Sequence, residues 1–288
     1  MKIFVITKKT LITAAAVVTL AIAVIVLAIV IPSCSKKGSE AMETSAGAAD
    51  IDQPLSASNS AAIDEYEVNV LAGFKKELPV YSVERDDKKI ALTIDAAWDA
   101  DKTPFILETL AKYNVKATFF LCGVWVKAYP DQVKAIHDAG HSIGNHSLSH
   151  PHMTKLSKDK IAMEISSLDD LIEKITGERT VLFRAPFGEY NDEVILAVRA
   201  TGHEPIQWDI DTIDWKPERS ANTILETVFK KLDDGSIILC HNNGYKIEEY
   251  LPTLIETAQA NGFTFVTVDE QLLDGDTMID VNGVQKLK

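Results

Sequence analysis

Residues 90–121 read IALTIDAAWDADKTPFILETLAKYNVKATFFL, and the fold is decided there. Ile90 to Ile94 is an apolar run suited to a buried strand. Thr103-Pro104 opens a helix, with proline where no backbone N–H is needed. Phe105, Ile106, Leu110 and Tyr113 give that helix an apolar face. Ala117 to Leu121 is a second buried strand. Strand, helix, strand in this order is the opening of a parallel sheet.

The alternation continues downstream. Pro130 to Ala139 is a short helix stopped by Gly140. Ser157 starts a helix in which Ile161, Ile165, Leu168, Ile172 and Ile175 recur at helical spacing until Gly177. Val181 to Phe183 is a strand, Asn191 caps a helix ended by Gly202, and Pro205 to Trp208 is another strand. Thr223 to Leu232 is a helix, Ser236 to Leu239 a strand, Ile247 to Ala260 a helix, and Phe263 to Val266 the last clear strand. Val80 to Val83 adds one upstream. The expected class is α/β, a parallel sheet closed into a barrel. The domain expected to fold spans 77–288, with its core at about 89–273.

The preceding residues have a different character. Lys2, Lys8 and Lys9 flank an uncharged stretch from Thr10 to Ile31, about 22 residues and long enough as a helix to cross a bilayer. Residues 1–34 are read as a single-pass membrane anchor with a cytoplasmic N-terminus. The rival is a lipoprotein signal ending at Cys34. Either reading places the catalytic-type domain outside the cell membrane. Residues 35–76, rich in Ser, Ala, Gly and acidic side chains without apolar period, are read as a flexible linker.

Composition limits the partners. The 288 residues hold 29 Lys and Arg against 42 Asp and Glu, a net charge of −13. Nucleic acid is bound mainly through basic side chains, so it is not an expected partner. No obligate protein partner is evident. Three cysteines do not make a disulfide framework.

In parallel α/β folds the chemistry gathers at strand C-terminal ends. Five polar clusters lie there: Asp95, the pair His146 and His150, Arg184 before Pro186-Phe187-Gly188, Asp209 and Asp211 with Asp214-Trp215, and His241 after Leu239. Two histidines four apart can hold a metal. With a carboxylate and open positions, such a centre acidifies water and polarises a carbonyl. Trp98 and Trp215 offer faces for sugar stacking.

The order and spacing of these clusters resemble the carbohydrate esterase family 4 polysaccharide deacetylases, the NodB-homology proteins, over roughly Lys89 to Leu273. The resemblance implies a distorted (β/α)7-type barrel. It implies hydrolysis of N-acetyl groups on peptidoglycan or a chitin-like glycan with a divalent metal, zinc first and cobalt, manganese or nickel after it. Thr93-Ile94-Asp95 matches the first motif and makes Asp95 the base. His146-Ser147-Leu148-Ser149-His150 matches the second and supplies two metal ligands. Arg184 pairs with Asp95, and the Phe187 N–H contributes to an oxyanion hole. Asp211-Thr212-Ile213-Asp214-Trp215 and Leu239-Cys240-His241 complete the set, with His241 the acid and Asp214 tuning it. Leu239, Trp215 and Trp98 are expected at the substrate.

One position departs. The family's second aspartate, its third metal ligand, is Ala96 here. Asp99 or Asp101 from the same loop substitutes, or the histidines hold a metal more weakly with waters and substrate, or the site is empty of metal and binds glycan without catalysis. A non-catalytic glycan-binding or wall-scaffold protein and an O-acetyl esterase of the xylan type therefore stand beside the deacetylase reading. Cys240 alternates away from the His241 face and, with Cys122, is expected as a free buried thiol.

Overall fold

The computed structural model describes residues 76–288. Eight parallel strands form one curled sheet in the order β6-β5-β4-β3-β2-β8-β7, with β9 also paired to β2. The strands are β2 (Lys89–Ala96), β3 (Thr118–Leu121), β4 (Ser142–Asn145), β5 (Leu182–Phe183), β6 (Glu204–Pro205), β7 (Ile210–Asp211), β8 (Ile237–His241) and β9 (Thr264–Val266). The helices are α1 (Thr103–Lys112), α2 (Gly123–Ala128), α3 (Pro130–Asp138), α4 (Lys158–Thr176), α5 (Asp192–Ala200), α6 (Ala221–Lys231), α7 (Ile247–Ala260) and α8 (Val268–Gln271). The α/β class and parallel sheet agree with the pattern in the sequence.

Alternation along β2 sorts its side chains. Ile90, Leu92, Ile94 and Ala96 join the main apolar cluster with Ile106, Leu110, Leu254 and Ile255 of α1 and α7. Ala91, on the other face, meets Phe120, Leu182 and Ile237. Thr93 and Asp95 follow on that inner face, which is how the strand delivers a carboxylate to its C-terminal end. Cys122 and Cys240 are free and buried, and Cys240 lies in the outer cluster, as alternation predicts.

Several boundaries differ. The strand expected over Pro205 to Trp208 is reduced to Glu204–Pro205, because the chain leaves β6 to carry Gln207 and Trp208 inward. The short helix α2 was not foreseen. A small second sheet, ordered β1-β11-β10, pairs β1 (Ser82–Val83) with a C-terminal hairpin of β10 (Thr277–Ile279) and β11 (Val284–Leu287). Asn191 caps α5 by accepting from the Val194 N–H at 2.9 Å. Gly177 stops α4 at φ 85°, a conformation open to glycine.

The membrane localisation expected from the sequence is corrected. Among the described residues no helix is long and apolar enough to cross a membrane. The longest, α4, is amphipathic and carries charged residues from Lys158 to Lys174. The anchor expected at 1–34, Cys34 and nearly all of the linker expected at 35–76 lie outside the described residues.

A buried polar knot ties β4 to α4. Asn145 Nδ2 donates to Asp169 Oδ1 at 3.0 Å and to the Ile165 carbonyl at 2.9 Å. Thr180 also donates to Asp169, and His203 Nε2 lies 3.3 Å from its second oxygen. Burial raises the Asp169 pKa, but His203, Thr180 and Asn145 outweigh it and hold the carboxyl below its ordinary value. Asp169→Ala leaves buried donors unpaired and should cost about 2–3 kcal/mol in urea unfolding at neutral pH. A depressed folded pKa contributes stability above the ordinary carboxylate value and loses it as pH falls through the folded one. The gap between wild type and Asp169→Asn should therefore narrow in acid.

Candidate active site

The C-terminal strand ends open into a cleft of 520 Å3. It brings together Asp95, Trp98, His146, His150, Phe187, Trp215, Leu239 and His241, with Trp208 and Asp211. Of the residues expected at the site, Arg184 and Asp214 stand directly behind the wall, and Asp99 lies elsewhere.

Asp95 and His241 are register partners on the adjacent strands β2 and β8. Arg184, just after β5, is fully buried. Its Nη1 donates to Asp95 Oδ1 at 2.7 Å and to Thr93 Oγ1 at 2.8 Å, and its Nη2 to the Gln207 carbonyl at 2.9 Å. The guanidinium stacks over Phe120 at 4.0 Å from the ring centroid. Burial raises the Asp95 pKa, but Arg184, His146 and His241 together bring it below the ordinary value. Asp95 is therefore a carboxylate throughout the neutral range.

His146 Nδ1 lies 2.8 Å from the Arg184 carbonyl, and its Nε2 lies 3.7 Å from Asp95 Oδ2. A carbonyl on Nδ1 favours a proton there and leaves Nε2 as the lone-pair nitrogen. His150 is packed edge-on against Trp98, His146 and Phe187, with ring centroids at 5.8, 5.0 and 4.6 Å. Burial, and then the neighbouring His146, lower its pKa to about 4. Both imidazoles are thus neutral at pH 7.

On the opposite side, His241 Nδ1 pairs with Asp214 Oδ1 at 2.7 Å. Burial lowers the His241 pKa, but the Asp214 contact dominates and the net direction is upward. Asp211 accepts from the Ile213 N–H at 2.7 Å, and burial raises its pKa.

The loops carry backbone strain. Of seven non-glycine residues with positive φ among the described residues, Asp99, Ser147, His150, Phe187 and Ile213 lie in the motif loops. Such conformations cost roughly 1–3 kcal/mol each and gather where function holds them.

The donor set does not fit a three-ligand metal centre. Among the described residues no group of three His, Cys, Asp or Glu side chains is placed to hold a metal. His146 and His150 are two imidazoles, and the position of the third donor is the Ala96 methyl, fully buried in the cluster with Leu121 and Trp125. Asp99 does not replace it. Its carbonyl accepts from Trp125 Nε1 and Asn242 Nδ2, both at 2.6 Å, and its side chain lines a separate hollow with Asp101, Tyr129 and Gln132. Zinc binding followed by calorimetry should be unchanged by Asp99→Ala and reduced by His146→Ala.

Motif reasoning gave Thr93 no role of its own and missed Gln207, Asn242 and Tyr250. Thr93 precedes Asp95 by two residues on one strand face, a signal period-2 reading could have used. Tyr250 sits inside a helix and gives no local signal.

The polysaccharide deacetylase family model matches residues 82–206. The peptidoglycan-N-acetylmuramic acid deacetylase PdaA of Bacillus subtilis is 31% identical over 191 residues, covering 65% of this chain and 73% of its own. The peptidoglycan-N-acetylglucosamine deacetylase PgdA of Listeria monocytogenes is 34% identical over 194 residues, 67% of this chain and 41% of that enzyme. The chain thus matches less than half of the Listeria protein. BA3943 of Bacillus anthracis, a CE4 family pseudoenzyme, superposes at TM-score 0.64 with 36% identity, covering 67% of this chain and 68% of its own. A BA3943 mutant with restored enzymatic activity gives the same TM-score at 37% identity, covering 67% and 70%.

Proposed function

The chain belongs to the polysaccharide deacetylase family, and from that premise we propose that it hydrolyses N-acetyl groups on a cell-wall glycan, peptidoglycan first. One observation carries the reading: two charge pairs, Asp95–Arg184 and Asp214–His241, bring Asp95 and His241 together at the ends of adjacent strands β2 and β8 in one cleft. An acyl transfer needs a base and an acid placed on the two sides of the scissile bond.

Asp95 takes a proton from the attacking water. Arg184 fixes the carboxylate's orientation and keeps it ionised. The Phe187 backbone, held at φ 60°, bounds the space for the carbonyl oxygen. His241, kept protonated by Asp214, gives its proton to the departing amine nitrogen as the C–N bond breaks, and acetate is left. Trp98 and Trp215, each more than half exposed at the rim, and Leu239 form apolar walls suited to pyranose faces. The curl of the sheet supports the distorted barrel of this family. A divalent cation, zinc, cobalt, manganese or nickel, would have only His146 and His150 as protein donors, and none of these steps runs through it.

A second reading has its own support. The buried Ala96 methyl and the likeness to BA3943 favour a protein that binds acetylated glycan in this cleft without turning it over.

Acetate release from peptidoglycan fragments and chitooligosaccharides, with each metal and with chelator, separates the two. Release that Asp95→Asn lowers by about 100-fold or more establishes the hydrolase; tight glycan binding with no acetate establishes the second reading. Ala96→Asp should raise zinc affinity and acetate release together, while lowering the melting temperature because residue 96 is packed among apolar groups. The pH dependence has a fixed sign. Activity requires Asp95 ionised, which its lowered pKa preserves into acid, and His241 protonated, which is lost as pH rises through its raised pKa. The alkaline limb of kcat/KM should move to lower pH in Asp214→Asn.

A further inference from the structure

Tyr250 lies on α7, nine residues beyond His241, outside every motif of the site. It is fully buried. Its hydroxyl donates to Asp214 Oδ2 at 2.6 Å. The same oxygen accepts from the His241 backbone N–H at 3.1 Å, while Oδ1 faces His241 Nδ1 at 2.7 Å. Asp214 is 1% exposed, and His241 is its one salt-bridge partner among the described residues. Three donors meet its two oxygens: the Tyr250 hydroxyl, the His241 backbone N–H and His241 Nδ1.

We propose that Tyr250 is the positioning residue of the acid: its hydroxyl holds the Asp214 side chain turned so that Oδ1 anchors His241 Nδ1, leaving Nε2 to the substrate. Burial and the Asp214 charge push the Tyr250 pKa well above its ordinary value, so the phenol is a donor at every working pH. The other titratable groups around this arrangement are few. Asp211 is a like charge to Asp214, Asp95 and Asp211 add to the upward shift of His241, and the buried Cys240 thiol, which shares a hydrogen bond with Tyr250 and is raised well above its ordinary pKa, is neutral. Backbone space agrees. A Cβ on Gly244 would lie 2.1 Å from Asp214 Oδ2, so the carboxylate occupies a slot closed by glycine on one side and filled by the phenol on another. Removing the hydroxyl leaves Oδ2 with one donor. The carboxylate then gains rotational freedom, and the Asp214 contact that raises the His241 pKa is loosened.

The inference rests on the deacetylase reading for the role of His241 but is tested on the free protein. In the full chain labelled with 15N-histidine, the His241 resonances are assigned by difference from His241→Gln and titrated. Wild type should show a raised pKa and, above it, a single Nδ1–H tautomer. Tyr250→Phe should lower that pKa toward the ordinary histidine value and give mixed tautomers at an unchanged melting temperature. Its kcat above the wild-type pH optimum should fall about tenfold with KM unchanged, less than the roughly 10²–10⁴-fold that a positioned acid supplies. If Tyr250→Phe does not fold, Gly244→Ala, which displaces the same carboxylate, should give the same loss of His241 pKa. An unaltered His241 pKa and tautomer in the folded variant overturns the proposal. Absence of acetate release by wild type overturns the deacetylase reading instead and leaves the titration to decide the role of Tyr250.

Discussion

The guanidinium of Arg184 has no contact with solvent, and the site is arranged around that fact. A buried cation is tolerated only when paired and hydrogen-bonded. Here Asp95 and Thr93 of β2 and the Gln207 carbonyl beyond β6 receive its protons. The Phe120 ring of β3 lies beneath it, and its own backbone bonds to Asn145 and His146 of the β4 end. One residue, through side chain and backbone together, thus ties four strand ends to one another. Its Nε finds no partner, a polar atom left over where five donors meet a crowded interior.

From that pairing follows the division of charge across the cleft. Asp95 is held as an anion by Arg184. His146 is held neutral, with its Nδ1 on a carbonyl that Arg184 itself provides. His241 is drawn the other way by Asp214. The Asp95 side and the His241 side are therefore drawn to opposite charges within one pocket, although both are buried, because each has a different partner. The same geometry explains what Ala96 changes. Its strand direction sends it to the outer apolar cluster, and the loop that follows is pinned by Trp125 and Asn242 with the Asp99 side chain turned to another hollow. The Asp95–Arg184 and Asp214–His241 pairs are both formed, while the buried Ala96 methyl offers no donor.

Much of this was legible in the residue pattern. The apolar run at Ile90 to Ile94, the Thr103-Pro104 helix start and the glycine stops at 140 and 177 mark elements whose periodicity is local. The site residues Asp95, His146, His150, Arg184, Phe187, Asp214 and His241 were found because they lie at strand ends, where a backbone rule gathers chemistry. Asp99 was expected as a donor on loop proximity alone. Proximity along the chain says nothing about which way a side chain turns when its carbonyl is claimed by two distant donors. The C-terminal hairpin at 277–287 carried no apolar periodicity of its own. Its strands exist because Ser82–Val83 offers an edge.

The sequence by itself determined the parallel α/β class and the alternation of side chains along β2, since these depend on period-2 and helical repeats within a few residues. Tertiary structure decided the rest. It placed Tyr250 against Asp214 across 36 residues and Arg184 against Asp95 across 89, and it turned Asp99 out of the cleft. Those contacts arise from how separate elements pack, and packing directions are properties of three-dimensional neighbours that no local repeat encodes.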